Sequence, residues 1–259
     1  MSQKNSKEFN YKVCLYICLF FIIVGFVVSV YLLLNTKENL SNKLNSHALP
    51  VPLDRSQTEK ILEKSASQIL GTPETPIYII DNFMSSEECD GIIKSARGKL
   101  VPSPLTRKDP NDPNFRTSET CYFDGTANQN KIEEKIIDKI KLHQSNTEDS
   151  QIQHYGVGKE FKAHWDYFDP KEDDAYLRNG QRTWTFMVYL NNVQKGGATQ
   201  FVNLNQTVFP KKGTAVVWCN IKEDGTPDEM TMHQGSPVIE GEKWIITKWF
   251  LQDTPTKKQ

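Results

Sequence analysis

Phe161-Lys162-Ala163-His164-Trp165-Asp166-Tyr167-Phe168 is an aromatic-rich run with the chemistry of a β-strand. Side chains on a strand alternate between its faces, so His164 and Asp166 share one face and Trp165 takes the other. One imidazole and one carboxylate on a common face are two of the three ligands of a 2-His-1-carboxylate facial triad. Such a triad leaves open positions on Fe(II) for a co-substrate and dioxygen. His233 lies far downstream, where a third ligand on another strand would fall. Beyond it the run Lys243-Trp244-Ile245-Ile246-Thr247-Lys248-Trp249-Phe250 places Lys243, Ile245, Thr247 and Trp249 on one strand face. A cation and a hydroxyl on that face suit the distal carboxylate of 2-oxoglutarate. Each part is weak alone, because a lone His is more often a hydrogen-bonded structural residue and a lone Lys a solvated charge. Order and spacing carry the argument.

Outward from this core, residues 151–155, 161–167, 183–191, 199–209, 213–219 and 243–251 read as strands punctuated by Gly and Asn. Many short strands with turns argue for a sandwich or jelly roll. Two helices are predicted ahead of them. Ser85 and Glu88 form a capping box for a helix reaching about residue 99, and Ile132, Ile136 and Ile140 recur at helical spacing within residues 130–142. Residues 101–116 between them, rich in Pro, Asp and Asn, read as a long loop of the kind that serves as a lid. Residues 76–80 read as the first strand. Residues 35–75 read as a polar stalk, with Ser56 and Glu59 at capping-box spacing before a short helix carrying Ile61, Leu62, Ile69 and Leu70. That helix either packs on the domain or joins two copies into a homo-oligomer.

The chain has 259 residues and a net charge of −1, so no basic footprint points to nucleic acid. Residues 13–34 carry no charge and are long enough to cross a bilayer as a helix, and they lack the small-residue cleavage site of a signal peptide. A single-pass signal-anchor is the expectation. Lys4, Lys7 and Lys12 precede the run and Lys37 and Lys43 follow it, a slight excess that favours a cytosolic N-terminus and a type II orientation. In a eukaryotic host the remaining chain would then face the lumen of the endoplasmic reticulum or Golgi. Cys89, Cys121 and Cys219 lie outside the run, enough for one disulfide or for three buried thiols. Asn39-Leu40-Ser41 and Asn205-Gln206-Thr207 are glycosylation sequons.

Residues 153–161 running into His164-Trp165-Asp166, Arg182-Thr183, Val188-Tyr189-Leu190-Asn191-Asn192, Gly196-Gly197-Ala198-Thr199, Pro210-Lys211-Lys212-Gly213, His233-Gln234-Gly235-Ser236-Pro237-Val238 and Gly241-Glu242-Lys243-Trp244 follow one another in a specific order, with Arg116-Thr117-Ser118 upstream. In these stretches the chain resembles the prolyl 4-hydroxylase branch of the Fe(II)/2-oxoglutarate dioxygenases, over residues 76–252. It departs from that pattern at Lys159-Glu160-Phe161, where the family often has Gln-x-Tyr, and at Ala198, where it often has an acid, and neither departure is expected to touch the triad.

The resemblance implies a mainly β fold with N-terminal helices, whose double-stranded β-helix (jelly roll) core spans about 150–252 and binds iron at one open end. The resulting layout is a tail (1–12), a transmembrane anchor (13–34), a stalk (35–75), the dioxygenase domain (76–252) and a C-terminal tail (253–259). The resemblance also implies Fe(II) on His164, Asp166 and His233, and 2-oxoglutarate and O2 on the open positions. Ascorbate would serve as reductant. Lys243, Thr247, Tyr155 and Tyr189 would lie around the co-substrate, and Arg182, Trp249 and Tyr167 near a peptide substrate. The implied reaction is 4-hydroxylation of peptidyl proline, coupled to decarboxylation of 2-oxoglutarate to succinate and CO2. Two other readings stand beside it: the same iron chemistry on a lysyl side chain, another protein side chain or a small molecule, and a non-catalytic jelly-roll binding module.

Overall fold

The computed structural model describes residues 24–26, 28–34, 53–104, 112, 114–141, 147–169 and 180–252. Residues 24–26 and 28–34 are helical and exposed, and among the described residues no helix is long and apolar enough to cross a membrane. Most of the expected anchor, the Asn39 sequon, half of the expected loop at 101–116, residues 170–179 and both tails fall outside the described residues.

The chain from Leu49 onward forms one compact unit. Its elements run α1 (Ser56–Ser65), β1 (Gln68–Gly71), β2 (Pro76–Ile80), α2 (Ser86–Ala96), β3 (Val101–Pro102), β4 (Glu119–Tyr122), α3 (Ala127–Ile140), β5 (Gln151–Tyr155), β6 (Phe161–His164) and β7 (Arg182–Tyr189). They continue with β8 (Lys195–Gly196), β9 (Thr199–Phe201), β10 (Gln206–Val208), β11 (Ala215–Cys219), a 3₁₀ turn (Glu229–Thr231), β12 (His233–Gly235), β13 (Val238–Glu240) and β14 (Lys243–Leu251). The major sheet has the order β1-β2-β11-β7-β14-β5-β4-β3, the minor sheet β10-β9-β12-β6, and β13 pairs with β8 in a third, two-stranded sheet. Every strand pairing is antiparallel.

The central strands are covered on both faces, and alternation divides their side chains between two cores. Trp184, Phe186 and Val188 of β7, with Trp244, Ile246 and Phe250 of β14, pack toward the helices. There they meet Leu62 of α1, Ile92 of α2 and Ile132, Ile136 and Ile140 of α3. Met187, Tyr189 and Ile245 point the opposite way, into a second core with Phe201, Val208 and Trp218 between the sheets. Double coverage explains why all eight residues of β7 are buried although its sequence does not alternate in polarity. Burying Trp184, Trp218 and Trp244 contributes on the order of 2–3 kcal/mol each.

The helix supports follow local rules, with one exception. The Ser85–Glu88 capping box forms, with Ser85 Oγ accepting from the Glu88 amide and the Glu88 carboxylate accepting from the Ser85 amide. The box expected at Ser56 and Glu59 does not, because Ser56 is already inside α1 and its amide donates to the Asp54 side chain. Ile69 and Leu70, expected on the stalk helix, lie instead on β1, paired with Tyr78 and Ile77. The helix stops at Ser65 because Ala66 is extended. The C-terminal part of the expected stalk therefore belongs to the domain. The strand expected over residues 199–209 is a hairpin, with Asn205 at φ +52° in the turn between β9 and β10.

Gly196 closes the small sheet at the Lys243 end of the barrel. It sits at φ +79°, and a Cβ there would lie 2.3 Å from the Pro237 carbonyl oxygen. Gly196→Ala is therefore expected to destabilise the fold by about 2 kcal/mol or more, read as a lower urea midpoint. An unchanged midpoint would contradict the backbone conformation described.

Candidate active site

Three elements converge at one end of the barrel. His164 ends β6, Asp166 follows two residues later, and His233 opens β12 directly opposite His164 in the antiparallel register. The strand expected over 161–167 stops at His164, yet the shared orientation of His164 and Asp166 holds. His164 Nε2 lies 3.6 Å from Asp166 Oδ1, and His233 Nε2 lies 3.7 Å from Asp166 Oδ2. The three ligand atoms fall within 4.8 Å of one another, and among the described residues no other His/Cys/Asp/Glu group does so.

The protonation pattern suits a metal. His164 Nδ1 donates to the Lys162 carbonyl at 2.7 Å and His233 Nδ1 to the Thr231 carbonyl at 2.9 Å. Each bond fixes the tautomer that turns a bare Nε2 toward the carboxylate, the arrangement typical of ligating histidines. Burial, with the neighbouring His233, pushes the His164 imidazole down to about 3, so it is neutral. Burial also opposes ionisation of Asp166, but the surrounding His233, His164, Arg182 and Trp249 together offset this, and its carboxyl stays below the usual range. Two imidazoles that each turn Nε2 inward and one carboxylate are the donor set for Fe(II).

Lys243 begins β14, pairs with Tyr155 of β5 and is 1 % exposed. A narrow cavity joins it to the triad, lined also by Thr247, Gln153, Thr199 and Gly235. Its ammonium lies 5.1 Å from the Tyr155 ring centroid and 5.5 Å from that of Tyr189, with no acidic partner among the described residues. Burial pushes it down to about 7. A buried ammonium without a counter-ion, one cavity away from an open metal site, fits the far carboxylate of a dicarboxylic co-substrate.

The comparisons agree with this geometry. Residues 150–251 match the model of the 2OG-Fe(II) oxygenase superfamily. Prolyl 4-hydroxylase 2 of Arabidopsis thaliana is 32% identical over 225 residues, covering 77% of this chain and 74% of its own length. The chain belongs to the prolyl 4-hydroxylase family. It is thus a 2-oxoglutarate-dependent dioxygenase. Human prolyl 4-hydroxylase subunit alpha-1 is 36% identical over 204 residues, covering 76% of this chain but 38% of that longer protein. The viral collagen prolyl hydroxylase of Paramecium Bursaria Chlorella virus-1, solved with 2OG, superposes with a TM-score of 0.54 at 32% identity, covering 67% of this chain and 94% of that one.

In this prolyl 4-hydroxylase relative the other expected site residues take distinct places. Thr247 lines the co-substrate cavity, and its Oγ1 accepts from Gln153 Nε2. The Tyr155 hydroxyl donates to Gln153 Oε1 at 3.0 Å. The Tyr189 hydroxyl is engaged within the core, 2.7 Å from Thr199 Oγ1 and 3.1 Å from the Val208 carbonyl, and only its ring faces Lys243. Arg182, Trp249 and Tyr167 line a groove of about 500 Å³ that opens on His164 and Asp166. The Arg182 guanidinium forks onto Glu148 at 2.5 and 2.7 Å, stacks over Trp249 and reaches the Asp166 carbonyl at 3.3 Å. Its charge is therefore paired inside the protein.

Phe161 corrects one expectation. The departure at 159–161 was read as lying clear of the triad, yet the Phe161 ring stacks on His164 with centroids 3.5 Å apart, while Arg116 covers it at 4.8 Å. Gln153, Met187 and Thr199, which line the cavity, were missed as site residues. Strand parity with Tyr155 and Tyr189 was the available signal for Gln153 and Met187, whereas Thr199 shares no strand with an expected site residue. Cys89, Cys121 and Cys219 are buried free thiols.

Lys243→Met should make the ligand-free protein more stable, since it removes a buried unpaired charge at similar volume. The gap depends on pH. An unfolded Lys titrates near 10.5 and the folded one near 7, so the unfolded chain binds the extra proton between these values. The penalty is full below pH 7 and vanishes above 10.5. Thermal unfolding at pH 6.5 and 9.5 should therefore show the variant's advantage shrinking as pH rises, and an advantage that grows would contradict the assignment.

Proposed function

We propose that this chain hydroxylates C4 of proline in a peptide or protein, coupled to conversion of 2-oxoglutarate and O2 to succinate and CO2. The observation that carries the reading is the groove on the open side of the triad. Phe115, Tyr122, Phe161, Trp165, Tyr167 and Phe168 line it. Aromatic grooves suit proline-rich segments, which enter a complex in a preformed extended helix at low entropic cost. Membership of the prolyl 4-hydroxylase family supports the same substrate class.

The protein's own groups divide the work. His164, Asp166 and His233 would hold Fe(II), which when bound activates O2 for C–H oxidation. Lys243 and Thr247 would grip the distal carboxylate of 2-oxoglutarate and so turn its keto acid end toward the triad. The Tyr155 and Tyr189 rings keep the ammonium in place and water out of the cavity. The Arg182–Glu148 pair and Trp249 form a rigid wall on which a peptide can lie. Ascorbate would restore oxidised iron.

We place the domain on the lumenal side of a single-pass type II anchor, in the endoplasmic reticulum or Golgi of a eukaryotic host. The uncharged run at 13–34 and the lysines that precede it support this. The Asn205 sequon, exposed in the β9–β10 turn, is consistent with it. Self-association through the stretch before the domain is proposed on the sequence alone.

The test is to incubate the full chain, purified in detergent, with Fe(II), 2-oxoglutarate, ascorbate and a panel of collagen-like and proline-rich peptides. A one-oxygen mass gain on proline with matching succinate is the expected result, and His233→Ala should abolish both. Succinate without proline oxidation would remove the substrate assignment while keeping the iron chemistry.

A further inference from the structure

We infer that Thr185 and Asn220 are positioning residues that orient the Asp166 carboxylate for metal binding. Thr185 lies on β7, on the face that points between the sheets, and Asn220 directly follows β11. Both are fully buried, at 0 % exposure. Asn220 Nδ2 donates to Thr185 Oγ1 at 2.9 Å, and Thr185 Oγ1 donates to Asp166 Oδ2 at 2.8 Å. Neither residue belongs to the triad or contacts the co-substrate cavity.

The direction of this chain of bonds is fixed by chemistry. An amide NH2 donates only, so it occupies a lone pair of the threonine oxygen and cannot take its proton. A carboxylate accepts only. The one hydroxyl proton of Thr185 therefore goes to Asp166. Oδ2, the oxygen nearer His233, is tied down, and Oδ1, the oxygen nearer His164, is left to lead toward the metal. A carboxylate held this way loses its freedom to rotate into two-oxygen coordination, which would occupy a position needed for co-substrate or O2.

The surroundings show that the pair is not there for packing. Asn220 Oδ1 is buried without a hydrogen-bond partner, a cost an apolar side chain would avoid. The backbone also anchors the donor. The Asn220 amide donates to the Thr183 carbonyl at 2.7 Å, and its own carbonyl accepts from the Asp228 amide at 3.0 Å. Asp228 in turn begins the 3₁₀ turn leading to His233, so the framework that aims the Thr185 hydroxyl also sets the approach of the third ligand.

The test uses the full chain in detergent, without O2, and equilibrium dialysis against Fe(II). Thr185→Val keeps the shape and removes the hydroxyl. Its affinity for Fe(II) should fall about 10- to 100-fold, the range for losing a partner of a metal ligand. Thr185→Ser should restore most of it. A purely structural role would lower the unfolding temperature equally with and without metal, whereas a positioning role shrinks the rise that Fe(II) produces. Folded Thr185→Val with wild-type affinity, or Thr185→Ser as weak as Thr185→Val, would overturn the inference. If Thr185→Val does not fold, Asn220→Ala serves instead. It frees the hydroxyl to rotate and should weaken Fe(II) binding severalfold, and wild-type affinity in that variant would equally overturn it.

Discussion

The domain is organised around charges that it buries without finishing their neutralisation. Asp166 lies between the Nε2 atoms of His164 and His233, and Lys243 lies along the same cavity with aromatic rings and, among the described residues, no acid beside it. Either group alone would be a defect in an ordinary core, where an unpaired ion costs several kcal/mol. Their placement makes sense when the missing partners come from outside: a divalent cation for the triad and a dicarboxylate that bridges cation and ammonium. Binding then gains both the direct attraction and relief of a penalty already present in the folded chain.

Holding such charges in register requires a stiff frame, and the two-sheet architecture provides it. β7 and β14 are buried on both faces, so their side chains cannot rotate away from either core. In the minor sheet β12 lies between β9 and β6, which sets His233 opposite His164. A slip of one residue along either strand would turn a ligand to the opposite face and dismantle the triad. The helices load the outer face of the major sheet and leave the open end between the sheets free for chemistry. The Arg182–Glu148 pair, stacked against Trp249, continues this stiffness into the wall of the groove.

Much of this was legible in the sequence, for identifiable reasons. Parity alone put His164 with Asp166, and Lys243 with Thr247, because strand geometry is strict over two to four residues. β14 was readable from its apolar run, and α2 from its capping box. The two- to four-residue strands β3, β4, β8 and β13 were not, since segments that short have no periodicity. β1 was misread as helix because Leu62, Ile69 and Leu70 mimic a helical stripe, while the break at Ala66 has no marker residue. Phe161 was misjudged because its contact with His164 depends on ring stacking, which spacing does not reveal. Thr185 was invisible because its partner Asn220 comes from a strand end that only the fold brings near.

Lys243 is the proposed receptor on which binding of the co-substrate's far carboxylate depends. Calorimetric titration of 2-oxoglutarate into the Fe(II)-loaded protein without O2, at pH 8 in two buffers of different ionisation enthalpy, measures this directly. With the free ammonium titrating near 7, most of the protein starts unprotonated at that side chain, and a bound carboxylate restores the charge. Uptake of close to one proton per 2-oxoglutarate bound is expected, and it should be absent in Lys243→Met. Binding with no proton uptake in the wild-type protein would contradict it.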